Sequence, residues 1–222
     1  MTEAAVVLND TPTSKANLAY ALLEEKIVTM DLAPGMLFSE ARLVQQLGLG
    51  RTPVREALQR LEAENLVEIM PRRGIRTTSI DVKQQLRLLE TRRVLEELQV
   101  SLAVRRASDT QRQRFGEISE SMVGVAGSRD YRQFIRLDKE FNELLAEATD
   151  NEFVSRMLRQ LHGLSRRFWH KHHSVTDDLA HVARLHADIG RAIVDASEGK
   201  AVHACQAHMQ YIQAFTLATL EK

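Results

Sequence analysis

The chain has 222 residues, of which 44% are hydrophobic and 27% are charged, and its formal net charge at pH 7 is +0. This length allows one large domain or two small ones with a real core, and the balanced charge argues against a protein that coats nucleic acid without regard to sequence. The single cysteine, Cys205, excludes an intrachain disulfide.

No stretch is apolar over the length of a membrane span, and the N-terminus lacks the charged start and apolar core of a signal peptide. We therefore expect a cytoplasmic protein without a membrane partner. Residues 1–14 are polar and aperiodic and are predicted to form a flexible N-terminal arm.

The spacing of apolar residues predicts a first helix that Ser14 caps and that the segment DLAPG, residues 31–35, ends. A short second helix begins at Ser39 and ends at Gly48, because glycine commonly terminates helices. The apolar residues of these two helices are Leu18, Leu22, Leu23, Ile27, Leu43, Val44 and Leu47.

A third helix is predicted to begin at Thr52-Pro53, because the first backbone N–H groups of a helix have no intrahelical partner and tolerate proline. Alternating residues then flank a turn at Pro71 to Gly74, which indicates a β-hairpin. Three helices and a hairpin, with a tight turn between the second and third helices, are typical of a winged helix-turn-helix. We place this DNA-binding domain at residues 15–78.

The third helix carries Arg51, Arg55 and Gln59 on the face opposite its apolar stripe of Val54, Ala57, Leu58 and Leu61. In the major groove such a face meets base edges, and the planar fork of arginine matches guanine O6 and N7. Arg72, Arg73 and Arg76 at the hairpin suit phosphates. The alternative is that these arginines only solvate an exposed face, paired with Glu56 or Glu62.

Residues 79–222 read as about six helices without a strand pattern, the first of them opened by Asp81 and Gln84 as a capping box. This predicts a second domain, an all-α bundle with its own core. The predicted fold class is therefore mainly α, with an N-terminal winged helix-turn-helix, a small β-hairpin wing and a helical bundle effector domain.

The stretch GRTPVREALQRLEAENLVEIMPRRG, residues 50–74, resembles the N-terminal signature of the GntR superfamily of bacterial transcription regulators. The resemblance implies that Arg51, Thr52 and Arg55 contact DNA and that Gly74 lets the wing approach the DNA backbone closely. Gly50 stands where the family has serine and offers no side-chain acceptor as a cap. The family often has an arginine at the position of Ala41, whereas here Arg42 follows it, about 100° around the helix.

The C-terminal region is similar to the FCD domain, the effector domain of the FadR-like branch of that superfamily. In the family an aspartate, a histidine four residues later and two further histidines bind a divalent metal in a pocket that also takes small carboxylates. The matching residues are Asp138, Asn142, His186 and His208. Because Asn142 replaces an imidazole by an amide, the set suits zinc, nickel, manganese or iron without choosing among them. The alternative is that the same residues donate hydrogen bonds to the ligand.

Arg92 matches a pocket-facing arginine of the family, which would suit a carboxylate effector. Its alternative is an ion pair with Glu96 one helical turn later. The stretch RRFWHKHH, residues 166–173, is predicted to be a solvated helix end with Trp169 partly packed, rather than a second metal or nucleic-acid site.

These features together predict a homodimeric repressor that binds a short inverted repeat of double-stranded DNA and responds to a small organic acid. A metal-dependent enzyme carrying a DNA-binding head is the competing class, because the proposed ligands could leave a coordination position for water. Against it, the sequence has no HExxH or GxSxG motif and no phosphate-binding glycine loop. A third alternative is an interaction module whose pocket has no function.

Overall fold

The computed structural model describes residues 14–128, 130–173 and 178–220. Contacts within the chain divide it into two compact units: the first comprises the residues up to Ile27 together with Asp31–Thr78, and the second comprises Val28–Met30 together with the residues from Ser79 onward. The predicted N-terminal arm lies outside the described residues except for Ser14. In the described part of the chain, every helix is too short or too polar to cross a lipid bilayer.

The first unit combines helices with a small antiparallel sheet. Its elements are α1 (Lys15–Val28), β1 (Leu37–Phe38), α2 (Glu40–Leu47), α3 (Arg51–Ala63), β2 (Val67–Met70) and β3 (Gly74–Thr77). The strand order is β1-β3-β2, with Ile69 opposite Ile75 in the predicted hairpin. The predicted winged helix-turn-helix is confirmed. Strand β1 was not predicted, because two residues are too few to show a period.

Helix ends in this unit follow from local side-chain chemistry. Ser14 accepts a hydrogen bond from the backbone N–H of Asn17 at 3.2 Å, and Ser39 accepts one from that of Arg42 at 3.2 Å. Gly48 ends α2 with φ 64°, a left-handed conformation that glycine adopts without strain. The predicted stripe of α1 is wrong at Leu18, which is 43% exposed.

The core of the first unit is formed by apolar side chains from all three helices and the sheet. They include Leu23, Leu43, Val54, Ala57, Leu58, Leu61, Leu66 and Val67. The predicted apolar stripe of α3 is therefore confirmed. Because that stripe is fixed against the core, the opposite side of α3 has to face solvent.

The described part of the second unit is helical throughout. Its helices are α4 (Val82–Arg106), α5 (Asp109–Ser128), α6 (Tyr131–Thr149), α7 (Glu152–His172), α8 (Leu179–Val194) and α9 (Glu198–Ala218). Asp81 caps α4 by accepting a hydrogen bond from the backbone N–H of Gln84 at 2.7 Å. Helix α8 packs closely on α5 at Gly190, where an added Cβ would collide with Oγ of Ser119. The predicted helical bundle is confirmed.

Candidate functional site

The outward side of α3 carries the side chains that the sequence assigns to DNA contacts. Arg51, Thr52, Arg55 and Gln59 are all exposed, whereas Val54 and Leu58 on the other side are buried. The helix begins after Gly50, which provides no side-chain hydrogen bond as a cap. The exposed N-terminal end of α3 therefore presents two guanidinium groups, one helical turn apart, to solvent.

Arg55 is held by an acid on the preceding helix. Its Nε donates to Oε2 of Glu40 at 3.1 Å, and its Nη2 donates to Oε1 at 3.0 Å. The hydrogen bonds and the charge of Glu40 raise the pKa of Arg55 above its usual value. This two-point contact fixes the plane of the guanidinium group while leaving the side chain 64% exposed. The alternative partners expected from the sequence were Glu56 and Glu62, whereas the partner of Arg55 in the structure is Glu40.

The hairpin between β2 and β3 places two arginines at its tip. Arg72 and Arg73 are exposed, and Arg72 occupies the left-handed region with φ 63°. Arg76 lies beyond the tip and pairs with Glu68 on β2 at 2.6 Å. Within the described residues, Arg72 and Arg73 form no ion pair, so their charges remain available to a phosphate backbone.

Gly74 is required by the sheet of the protein itself. It has φ 109°, and an added Cβ would lie 2.7 Å from the carbonyl oxygen of Phe38 on β1. An L-residue at this position would be strained and would also push β3 away from β1. Gly74 therefore allows a close approach to the backbone of Phe38 within the protein. The approach of the wing to the DNA backbone that the family resemblance implies stays a prediction.

Arg42 lies on the exposed side of α2, next to the exposed Ala41. Among the described residues it forms no ion pair. Arg51, Arg72 and Arg73 are likewise exposed and form no ion pair with any described residue of the first unit. We call Arg42, Arg51, Thr52, Arg55, Gln59, Arg72 and Arg73 the basic face.

The second unit encloses a cavity between its helices, with about 500 Å³ of empty space including its mouth. One part of the wall is polar and includes all five residues that the sequence assigns to the effector and the metal: Arg92, Asp138, Asn142, His186 and His208. The structure therefore brings these residues together around one space.

Asp138 is the centre of the polar wall. Its Oδ1 accepts a hydrogen bond from Nδ2 of Asn142 at 3.2 Å, and its Oδ2 lies 3.5 Å from Nη1 of Arg166. Burial raises the pKa of the Asp138 carboxyl, but the hydrogen bond with His186 and the charge of Arg166 outweigh burial and hold the pKa well below its ordinary value. Asp138 is therefore charged at neutral pH.

His186 has an acceptor at each ring nitrogen. Nδ1 lies 2.9 Å from the carbonyl oxygen of Val182, and Nε2 lies 2.9 Å from Oδ1 of Asp138. Because a neutral imidazole has a single N–H, it can donate to only one of them. A metal ion bound at Nε2 would leave the N–H at Nδ1 to donate to the carbonyl oxygen of Val182. Metal-binding histidines commonly donate their other N–H to a backbone carbonyl, as Nδ1 can do here.

His208 lies against His186, with ring centroids 4.1 Å apart. Burial, and then the neighbouring His186, lowers the pKa of His208 well below its usual value, so the ring is neutral at pH 7. Across the described residues, no three His, Cys, Asp or Glu side chains are gathered in a position to hold a metal ion. The donor types, two imidazoles, a carboxylate and an amide, fit a divalent ion, but their side chains would have to rearrange around it.

Arg92 forms a buried ion pair with Glu96. Its Nε donates to Oε1 of Glu96 at 2.7 Å, and its Nη1 donates to Oγ of Ser165 at 2.5 Å. Burial raises the pKa of Glu96, but Arg92 and then His162 outweigh burial and hold the pKa well below its ordinary value. The ion pair that the sequence gave as the alternative for Arg92 is therefore present, although Arg92 also lines the cavity.

The segment 166–173 is not the solvated helix end that the sequence predicts. Arg167 is 2% exposed and Trp169 is 9% exposed, and the Arg166 side chain is 11% exposed. Arg166 and Trp169 are three residues apart on α7, share one face and both line the cavity. The prediction is wrong because it was based on hydrophobicity alone. Charged residues in this segment suggested exposure to solvent, although the side chains of Arg166 and Arg167 are buried.

Comparison with known proteins gives two family matches. The family described as bacterial regulatory proteins, gntR family, matches residues 15–76, and the FCD domain matches residues 87–211. The uncharacterized HTH-type transcriptional regulator YdhC of Bacillus subtilis (strain 168) is 27% identical over 156 residues, 70% of each protein. The Nta operon transcriptional regulator of Aminobacter aminovorans is 30% identical over 136 residues, 60% of this chain and 63% of that protein.

Among solved structures, E. coli McbR/YncC matches 93% of this chain and 99% of its own, with a TM-score of 0.80 and 21% sequence identity. A regulator from Rhodococcus sp. RHA1 covers 92% of this chain and 98% of its own, with a TM-score of 0.66 and 19% identity. At these identities, the likeness concerns the fold alone.

Proposed function

We propose that this protein is a repressor whose affinity for its operator falls when a small carboxylate binds. The proposal starts from family membership: the chain belongs to the GntR family of bacterial regulatory proteins and carries an FCD domain. Both families and the named relatives are transcriptional regulators. The metal-dependent enzyme with a DNA-binding head is therefore set aside. Because its target is chromosomal DNA, the protein acts in the bacterial cytoplasm.

The observation that carries this proposal is the presence of two separate sites in one chain. The first unit has an exposed arginine face on a helix of the type that enters the major groove, and the second unit has a buried cavity with charged walls. A protein that only binds DNA has no need of such a cavity. A protein that only binds a small acid has no need of the basic face.

The effector is proposed to be an anion because of the charge balance of the cavity wall. Arg92 is paired with Glu96, and Arg166 is paired with Asp138. A metal ion bound at Nε2 of His186 would add a positive charge that no further acid among the lining residues offsets. A carboxylate entering the cavity supplies the missing negative charge.

We propose that this metal ion is a divalent ion of the zinc, nickel, manganese or iron group. Asp138, His186 and His208 would hold it, with the amide oxygen of Asn142 as a fourth donor. When bound, the ion supplies a positive charge at which a carboxylate can coordinate. Arg166 is positioned to orient the same carboxylate, since it lies at the Asp138 end of the cavity.

The regulator is proposed to act as a homodimer on a short inverted repeat, because two-fold symmetry of the protein matches two-fold symmetry of the operator. Helices α4 and α7 of the second unit expose large apolar side chains that suit a contact with a second copy. Val94 is 69% exposed and Phe153 is 64% exposed, and Leu98 and Met157 extend these surfaces by one helical turn.

A gel-shift assay tests the proposal. Duplex DNA from upstream of the protein's own gene should be retarded, and small organic acids should release it in a concentration-dependent manner. The effect is reciprocal, so operator DNA should weaken acid binding by the same factor. Retardation that no carboxylate changes would contradict ligand control and leave only the DNA-binding regulator.

A further inference from the structure

Part of the cavity wall is apolar and largely aromatic, which a site for a small polar acid does not require. This apolar wall consists of Phe134, Phe168, Trp169, Val182, Ile212 and Phe215. It continues directly from the polar wall, because the ring centroid of Phe134 lies 5.4 Å from that of His186 and 5.1 Å from that of Trp169. A ligand held at His186 would thus extend along aromatic rings.

Trp169 adds a polar group to this apolar wall. Its Nε1–H is buried and forms no hydrogen bond among the described residues. A buried N–H without a partner is unfavourable, and buried tryptophan usually finds an acceptor for it. A ligand oxygen that reached Nε1 would provide that acceptor.

The two-part character of the cavity wall, polar on one side and apolar on the other, restricts the ligand further. A di- or tricarboxylate without an apolar body would leave the aromatic wall uncovered, or would place a second charge against it at a high desolvation cost. A ring-bearing acid instead buries its apolar part against Phe134 and Phe168 and places its carboxylate at the polar wall. Offset or edge-to-face contacts with these rings add to the attraction.

We infer that the effector is a carboxylic acid with an aromatic or comparably sized apolar ring, and that one of its oxygens accepts a hydrogen bond from Nε1 of Trp169. The inference rests on the proposed function, in which this cavity takes a carboxylate. It adds the chemical class of the ligand and a residue that selects it.

The chain offers a direct probe, because Trp169 is its one tryptophan. The full-length protein is titrated with benzoate and 4-hydroxybenzoate as ring-bearing acids, with acetate, succinate and citrate as ring-free acids, and with benzyl alcohol as a ring without a carboxylate. Intrinsic fluorescence and calorimetry report binding. We expect the better ring-bearing acid to bind tighter than every other probe class by on the order of tenfold or more.

Trp169→Phe keeps an aromatic ring but removes the N–H. Calorimetry should show its affinity for the ring-bearing acid to be about 2- to 10-fold lower, as expected for the loss of one hydrogen bond. Lys171→Arg is the control, because it makes a conservative change at an exposed position on the same helix outside the cavity. It should bind as the parent protein does.

Succinate or citrate binding as tightly as the ring-bearing acids would overturn the inferred ligand class while leaving the proposed function intact. Equal affinity of Trp169→Phe and the parent would overturn the role of the indole. If no carboxylate binds and none releases operator DNA, the proposed ligand control fails together with the inference.

Discussion

Nη2 of Arg167 donates a hydrogen bond to the backbone carbonyl oxygen of Ser79 at 3.0 Å. Ser79 directly follows Thr78, the last residue of the first unit, and Arg167 lies on α7 between the cavity residues Arg166 and Trp169. Burial lowers the pKa of the Arg167 guanidinium to about 10, so it remains charged at neutral pH. The hydrogen bond therefore connects α7, which lines the cavity, to the chain segment that directly follows the first unit.

Replacing Arg167 should uncouple the two sites. Arg167→Met removes the hydrogen bond to Ser79 while retaining an unbranched side chain, so the protein should still bind DNA and the acid but release the operator poorly. Allosteric coupling typically changes affinity by about 5- to 150-fold, and we expect most of this factor to disappear. Operator affinity measured with and without effector gives the factor. Arg191→Met, at an exposed position on α8, should retain it; equal coupling in both variants would refute this role of Arg167.

Substitutions in the ion pair between Arg55 and Glu40 should change the preference for operator over random DNA. Arg55→Ala should reduce the preference for operator over random DNA by roughly 5- to 150-fold, because a bidentate contact with guanine is lost. Glu40→Gln should lower the same preference by a smaller factor and strengthen binding to random DNA, since it frees the guanidinium group and removes a negative charge. Fluorescence anisotropy with both duplexes measures the ratio. If Arg55→Ala leaves the ratio of operator to random-DNA affinity unchanged, Arg55 does not contact a base.

Gly74→Ala should destabilise the wing. The added Cβ meets the carbonyl oxygen of Phe38, and φ 109° is unfavourable for alanine, which together cost about 1–3 kcal/mol. Gly124→Ala on α5 is the matched control, because an added Cβ there meets no atom within 4 Å and helical alanine is favoured by about 0.5–1 kcal/mol. Urea unfolding should therefore move in opposite directions for the two variants. A stable Gly74→Ala variant would show that the wing can shift away from β1.

Metal content tests the donor set directly. The purified protein, dialysed against zinc and then against buffer, should retain about one ion per chain, and His186→Ala and His208→Ala should retain much less, because each removes an imidazole donor. Elemental analysis gives the content, and circular dichroism verifies that the variants are folded. His203→Ala, at an exposed position on α9, is the control. Equal zinc in all four proteins would show that His186 and His208 do not hold the ion.

Local features of the fold were predictable because they depend on neighbours in sequence. Ser39 and Gly48 mark the ends of α2, and the buried stripe of α3 follows from helical spacing alone. Leu18 fits the same spacing but is exposed, since exposure depends on which elements pack against that turn of α1. Strand β1 exists only through its pairing with β3, a contact that no local pattern encodes.

The candidate sites were predictable only in part, because they depend on contacts between residues that are distant in sequence. Asp138 and His186 are 48 residues apart, and their proximity was expected from a family resemblance rather than from spacing. Glu40 and Arg166 were missed because each acts on a residue of another helix. A search for arginines that lie three residues before an aromatic residue on the same helix would have identified Arg166, which precedes Trp169 at this spacing.

The most direct test of the account is the affinity of the full-length protein for duplex DNA from upstream of its own gene, measured by fluorescence anisotropy as salt is raised. The basic face predicts tight binding at low ionic strength and a logarithm of the binding constant that falls linearly with the logarithm of salt concentration. Addition of the ring-bearing acid at fixed salt should release the duplex. Failure to bind any duplex at low ionic strength would contradict the account.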